Sequence, residues 1–262
     1  MSYGIYNDFI GYAPIFRNEK FSGSDTIEYY LKNVETMPED WYYRNIPITY
    51  TRNKNGHRCK EISDIDFDNY ILTIGCSYTE GIGLELEKTY PYMLSQKMNC
   101  DYYNLGMGGV GIDVMIHNLI VWLNTHKKPK ALVVQWPTSG RFIRSQDNPY
   151  KTDITETLSG TGSLVSVGPW TINEAETDIL VSGDYIHYFK TIEVLARIKL
   201  KSFDVPQVHI TNVLKPGLST FTKDYIRFAG LDKARDDHYG IVSHETLATN
   251  VHQRLIDNYQ LY

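Results

Sequence analysis

Cysteine is scarce in this sequence and forms no pattern. Three cysteines, Cys59, Cys76 and Cys100, stand among 262 residues. An odd number without a CxxC pair argues against a disulfide framework or a structural zinc site, so a reducing compartment, or at least no disulfide dependence, is expected. Long apolar runs are also missing: "LIVWL" makes a helix face, far from the roughly 18 to 20 residues that cross a bilayer, so no membrane partner is expected. Positive charge is short as well. The formal net charge is −5 and the pI is near 5.9, which leaves no electrostatic reason to expect a nucleic-acid partner. The start, "MSYGIYNDFIGYAP", lacks a basic stretch followed by an apolar one, so no secretory signal is expected and the cytoplasm is the expected location. No internal repeat or low-complexity tract occurs.

With 42% hydrophobic residues, the chain can bury one large core and a small accessory lobe. Residues 1–68 are rich in tyrosine and charge, and read as an accessory segment. Within them "ITYTRNKNGHRCKEI" places two β-prone runs around "NKNG", which predicts a β-hairpin. "DIDFD" predicts a half-exposed strand with Ile65 and Phe67 inward; it is not a calcium loop, because Asn69 and Gly75 stand where Gly and Glu would be needed.

Residues 69–262 alternate between strand and helix patterns. "YILTIG", "DYYNLG", "ALVVQW" and "PQVHIT" predict four strands. "TYPYMLSQKM", with Pro91 in its first turn, "IDVMIHNLIVWLNTH", "YIHYFKTIEVLARIKLKSF" and "SHETLATNVHQRLIDNY" predict four helices. The alternation predicts an α/β fold, a three-layer α/β/α sandwich around a mostly parallel sheet. Such folds collect function at the carboxyl ends of their strands. Four loops fall there: Gly75–Gly83, Gly106–Gly111, Trp136 to about Arg144, and Ala234–Gly240.

Ser77 follows the first of these strands. A serine hydroxyl needs a positioned base, usually a histidine oriented by a carboxylate. "DDH" supplies both, with His238 as base. "NLGMGGVG" offers backbone N–H groups for an oxyanion. The same glycines match a dinucleotide fingerprint, but no Asp or Glu lies between Asp113 and Asp147 to hold a ribose. The first loop is no phosphate-binding loop either, since no Lys follows its glycines.

Taken together these stretches resemble the SGNH hydrolase superfamily, the GDSL-type esterases and lipases. "IGCSYTEGIGL" looks like its first block, with Cys76 where the family often has Asp. "YPYML" looks like the helix that follows, "YYNLGMGGVG" like the second block and "ARDDHYG" like the last. The resemblance implies a serine esterase acting on a short-acyl ester, O-acetyl by preference and on a carbohydrate among other choices, without a cofactor or metal. It implies Ser77 as nucleophile, His238 as base, and the N–H groups of Ser77 and Gly109 in the oxyanion hole.

Two positions depart from the family pattern. After the third strand the expected asparagine is absent from "VVQWPTSGR"; Thr138 or Gln135 are the substitutes at hand, while Pro137 has no N–H to donate. The family's Asp lies three residues before its His, a place held here by Arg235. Asp236 is the expected acid, because the side chain of Asp237, adjacent to the base, diverges in an extended loop. His244 stays in reserve as a base, and Cys76 is expected to be a small buried side chain. Trp136 and Arg141 are expected to bind substrate, by stacking on a sugar or pairing with a carboxylate.

A different class of function stays open: a structural or binding protein that keeps this fold with little or no turnover. "WYYRNIPITYTRNKNGHRCKEI" and "QWPTSGRF" are similar to SGNH-like proteins encoded by marine phages. For such a protein a virion component that binds carbohydrate is the alternative, with virion partners or a homo-oligomer as its assembly.

Overall fold

The structure, a computed structural model, describes residues 2–12, 17–22, 25–137, 140–145, 164–168, 183–211, 224–236 and 238–261. In chain order its main elements are strands β1 (Ser2–Tyr6), β2 (Phe9–Tyr12) and β3 (Asn18–Glu19), helix α1 (Ile27–Thr36), and strands β4 (Tyr50–Thr51) and β5 (Tyr70–Ile74). Helices α2 (Ser77–Glu80) and α3 (Tyr90–Lys97), strand β6 (Asp101–Asn104), helix α4 (Ile112–Thr125) and strands β7 (Ala131–Gln135), β8 (Phe142–Ser145) and β9 (Leu164–Val167) follow. Helix α5 (Gly183–Lys201), strands β10 (Gln207–Thr211) and β11 (Tyr225–Arg227), and helix α6 (Ile241–Tyr259) close the chain.

The central sheet has the order β11-β10-β7-β5-β6, and all its pairings are parallel. Every residue of β5 and β7 is buried, and apart from Thr73 and Gln135 both strands read as apolar runs, because helices cover both faces of a parallel sheet. Helix α3 packs against α6, and α4 against α5. In α4 the buried Ile112, Met115, Leu119 and Trp122 recur at helical spacing. Pro91 sits in the first turn of α3, where its missing N–H costs nothing. The fold is the expected α/β/α sandwich. Its strand order reverses direction between β5 and β7, the place where open sheets of this kind leave a crevice.

A second sheet, of order β2-β1-β9-β8, is antiparallel. It joins the first dozen residues to strands that lie between β7 and α5. Its hairpin turns at Asn7 and Asp8, both left-handed with φ of 48° and 70°, as a two-residue type I′ turn requires. The side chains it buries, Tyr3, Ile10 and Tyr12, pack with Met107, Val110, Val114 and Leu164.

Two local expectations are corrected. "NKNG" does turn, with Gly56 N–H on the Asn53 carbonyl, but its flanks do not pair with each other. Tyr50–Thr51 pairs instead with Asn18–Glu19, and Asn53, Asn55, His57 and Arg58 are buried, their side chains spent on tertiary bonds that a hairpin ladder would leave in solvent. "DIDFD" is not a strand; a short 3-10 turn at Ile62–Asp64 precedes it, while Ile65 still points inward at 7% exposure. Among the described residues no helix is long and apolar enough to cross a membrane.

Candidate active site

Strand β5 ends at Ile74, and the chain turns through Gly75 and Cys76 into α2, whose first residue is Ser77. The turn is too tight for a side chain at Gly75: a Cβ there would lie 2.1 Å from Thr79 Oγ1 and 2.9 Å from Gln135 Cβ. Thr79 donates its hydroxyl to Gln135 Oε1 at 2.7 Å, and Asn104 Nδ2 reaches the Thr79 carbonyl at 2.9 Å. The ends of β7 and β6 therefore hold the helix that starts with Ser77. Cys76 is buried and all three cysteines are free.

The loop before α6 brings the other two groups to Ser77. Asp236 Oδ1 accepts the His238 backbone N–H at 2.9 Å, an Asx-type turn that closes over two residues. Its Oδ2 lies 2.6 Å from His238 Nδ1, and His238 Nε2 lies 2.7 Å from Ser77 Oγ. Because a carboxylate only accepts, Nδ1 carries the proton toward Asp236 and Nε2 presents its lone pair to the serine hydroxyl. The two-residue spacing works because one carboxylate serves the backbone and the ring together. Tyr78 flanks the imidazole at 5.1 Å and stacks on Tyr239 at 4.1 Å.

The remaining expected residues fall in different places. Gly109 lies in the loop after β6 with φ +72°, between Gly108, which α2 and the hairpin hold, and the start of α4. Thr138 and Asp237 lie outside the described residues. Gln135 is buried and turned toward Thr79, so it stabilises the elbow. Trp136 is corrected: at 2% exposure it belongs to the main core, its Nε1 donating to His209 Nδ1 at 3.1 Å, and it offers no face to a sugar. Trp136 lies one residue past the end of β7, where its backbone N–H still meets the Ile210 carbonyl at 2.9 Å, and the indole turns into the core. Arg141 is partly exposed, and its carbonyl abuts Gly111, where a Cβ would come within 2.0 Å of it. His244 is fully buried; its Nδ1 accepts the Tyr90 N–H at 2.9 Å, and burial pushes its pKa down to about 3. It supports the start of α3.

Several residues that shape the site escaped the sequence reading. Arg235, three residues before His238, is buried and paired with Asp25. Its backbone is held on both sides, by the Gly83 carbonyl at 3.4 Å and by Asn33 Nδ2 at 3.0 Å. Tyr50 donates to Asp25 and accepts the Gly83 N–H at 2.8 Å. Glu80, fully buried one turn after Ser77, is met by Arg52 Nη2 at 2.6 Å, by the Tyr12 hydroxyl at 2.8 Å and by the Gly108 N–H at 2.6 Å. Burial, seconded by the Glu80 charge, pushes the Tyr12 hydroxyl well above its ordinary pKa. Burial is the largest influence on Arg52 and would lower its pKa, but Glu80, Tyr12 and Glu19 together more than offset it and raise it. A signal existed for some of these: "YND" before an apolar run marks the first hairpin, and a Glu inside "SYTEG" next to a nucleophile candidate calls for a cation. Among the described residues no three His, Cys, Asp or Glu side chains converge as metal ligands would.

No protein-family model matches the chain, and no curated protein matches it. Among solved structures it is similar to a family two carbohydrate esterase from Clostridium thermocellum in complex with cellohexaose, with TM-score 0.46 and 11% identity over 76% of this chain and 66% of that one. It is also similar to an acetyl xylan esterase from Butyrivibrio proteoclasticus, with TM-score 0.39 and 14% identity over 74% and 64% of the two chains. A third is a member of the lipolytic protein G-D-S-L family from Veillonella parvula, with TM-score 0.37 and 11% identity over 74% and 99%. The chain spans about two thirds of the length of the two esterases.

Proposed function

We propose that the protein is a serine esterase of the SGNH type that hydrolyses a short-acyl ester, an O-acetyl group on a carbohydrate being the preferred substrate class. The observation that supports this reading is the continuous chain Asp236, His238, Ser77, at 2.6 Å and 2.7 Å, assembled from residues 161 positions apart. A fold kept only for binding has no need of this alignment. His238 Nε2 takes the Ser77 proton as Oγ attacks the ester carbonyl, and Asp236 holds the ring in the productive tautomer and stabilises the imidazolium. The backbone N–H groups of Ser77 and Gly109 receive the oxyanion, and Thr138 is a third donor in this reading. The tetrahedral species collapses, the C–O bond breaks, and the leaving alkoxide takes the proton from Nε2. Water then attacks the acyl-serine with the same base and releases the acid. Arg141, beside the glycine loop, is the proposed contact for the rest of the substrate.

The test is labelling by a fluorophosphonate together with hydrolysis of a short-chain aryl ester, for wild type and Ser77→Ala. Labelling and turnover in the wild type, both absent from the variant, are expected. Equal labelling of the two proteins removes Ser77 as nucleophile, and absence of labelling and turnover in the wild type leaves the binding-protein reading in its place.

A further inference from the structure

We propose that Tyr3 and Tyr12, on the N-terminal hairpin, are positioning residues that fix the direction of the Gly109 N–H, the oxyanion donor of the esterase reading on which this inference rests. The two tyrosines are register partners across β1 and β2, so both rings stand on the same face. They are fully buried with centroids 5.3 Å apart. Their hydroxyls close on the polar atoms of one residue. Tyr3 donates to the Gly108 carbonyl at 2.7 Å. The Gly108 N–H lies 3.0 Å from the Tyr12 hydroxyl and 2.6 Å from Glu80 Oε2, the same carboxylate oxygen that Tyr12 itself donates to.

The Gly108 carbonyl and the Gly109 N–H belong to one peptide unit. Among the described residues no peptide is cis, so in this trans unit the two groups point in opposite directions. Holding the carbonyl therefore aims the N–H. A Gly-Gly pair needs such a hold, since neither residue has a Cβ to restrict its backbone and an unclamped peptide between them can turn over at little cost. The clamp is joined to the nucleophile as well: Glu80 lies on the helix that begins with Ser77, and Arg52 balances its charge while lying 3.9 Å from the Tyr12 ring centroid. The high tyrosine content of the first segment thus has a mechanistic use that composition does not reveal.

Removing one hydroxyl leaves the hairpin docked. Ile10 is bound through both its backbone groups to the Asn118 side chain, at 2.8 Å each. The experiment compares Tyr3→Phe and Tyr12→Phe in the full chain with Ile5→Ala, which trims packing on the same hairpin but removes no hydrogen bond to Gly108. Each is assayed with a short-chain aryl acetate, and for affinity toward phenylboronic acid, which forms a tetrahedral adduct on a reactive serine. For the tyrosine variants kcat should fall about tenfold to a hundredfold, KM should stay near its wild-type value, and boronate affinity should weaken in step with kcat. Ile5→Ala should keep its kcat even where it melts lower. If either tyrosine variant keeps kcat within twofold, or if Ile5→Ala loses as much as they do, the positioning role is overturned. Should Tyr3→Phe not fold, Tyr12→Phe decides alone. A wild type without esterase activity, or an active Ser77→Ala, strikes the esterase reading itself and takes this role with it; that outcome is visible before any hairpin variant is made.

Discussion

Gly83→Ala separates backbone strain from crowding at the acid. Gly83 has φ +84°, and a Cβ on it would lie 2.6 Å from Ala234 Cβ, 2.9 Å from Asp236 Oδ1 and 3.3 Å from Arg235 N. Carbon atoms in contact prefer about 3.5 to 4.0 Å, so the loop carrying Asp236 must retreat by roughly 1 Å. Its retreat is resisted, because Arg235 is fixed by Asp25 and the Gly83 N–H by Tyr50. The displacement therefore falls on the Asp236 to His238 contact. A misplacement of about 1 Å costs on the order of a hundredfold in rate, equivalent to about 2.7 kcal/mol of activation free energy. The matched control is Gly140→Ala: Gly140 has the same φ of +84°, but among the described residues nothing lies within 4 Å of its Cβ position. Both variants bear the left-handed strain of about 1 to 2 kcal/mol, which lowers Tm by a few degrees in a chain of this size. Only Gly83→Ala should lose activity. Melting by fluorimetry and kcat with an aryl ester, measured well below both transitions, check this. Equal kcat in the two variants would refute the idea that crowding at Gly83 sets the acid's position.

Asp236→Asn should lower kcat by about three to four orders of magnitude while leaving the fold intact, because an amide favours the wrong imidazole tautomer; near wild-type turnover would show that Asp236 is not the acid. Stability should fall as pH drops from 6.5 toward 4. His57, His209 and His244 are pushed down by burial to about 4, 4 and 3, so the unfolded chain binds protons in that range before the folded one does. Each contributes a slope of up to about 1.4 kcal/mol per pH unit there, with the full contribution retained above pH 6.5; urea midpoints that do not change between pH 7 and 5 would contradict it. Asp25→Asn should cost about 3 to 5 kcal/mol by leaving the Arg235 charge buried and unpaired, and Asp25→Asn with Arg235→Gln should cost less than the sum of the single changes. A double-mutant cycle in denaturant measures that coupling.

Much of the site was legible from residue pattern. Ser77 stands out because a mostly apolar strand, a glycine and a small buried residue precede it, and the whole signal lies within eight positions. Asp236 was the expected acid because a side chain adjacent to the base diverges in an extended loop, and its Oδ2 lies 2.6 Å from His238 Nδ1. Trp136 was not readable: an indole one residue past a strand can face solvent or core, and the choice depends on His209 and Arg197 from distant segments. The turn at "NKNG" formed as its residues demand, but its pairing went elsewhere. Turn propensity is local, whereas strand partners are selected by what else can be buried.

The sequence by itself determined the order and type of four of the five central strands, β11 being the one it missed, and of the long helices between them. These follow from periodicities and conformational preferences that act over a few residues. Only the tertiary structure decided that the first twelve residues join the strands after β7, that Arg235 is a buried anchor, and that Glu80 and two tyrosines meet at Gly108. Those choices depend on charge neutralisation and close packing between segments far apart in the chain. No local pattern encodes them, because each group's partner becomes necessary only once the group is removed from water.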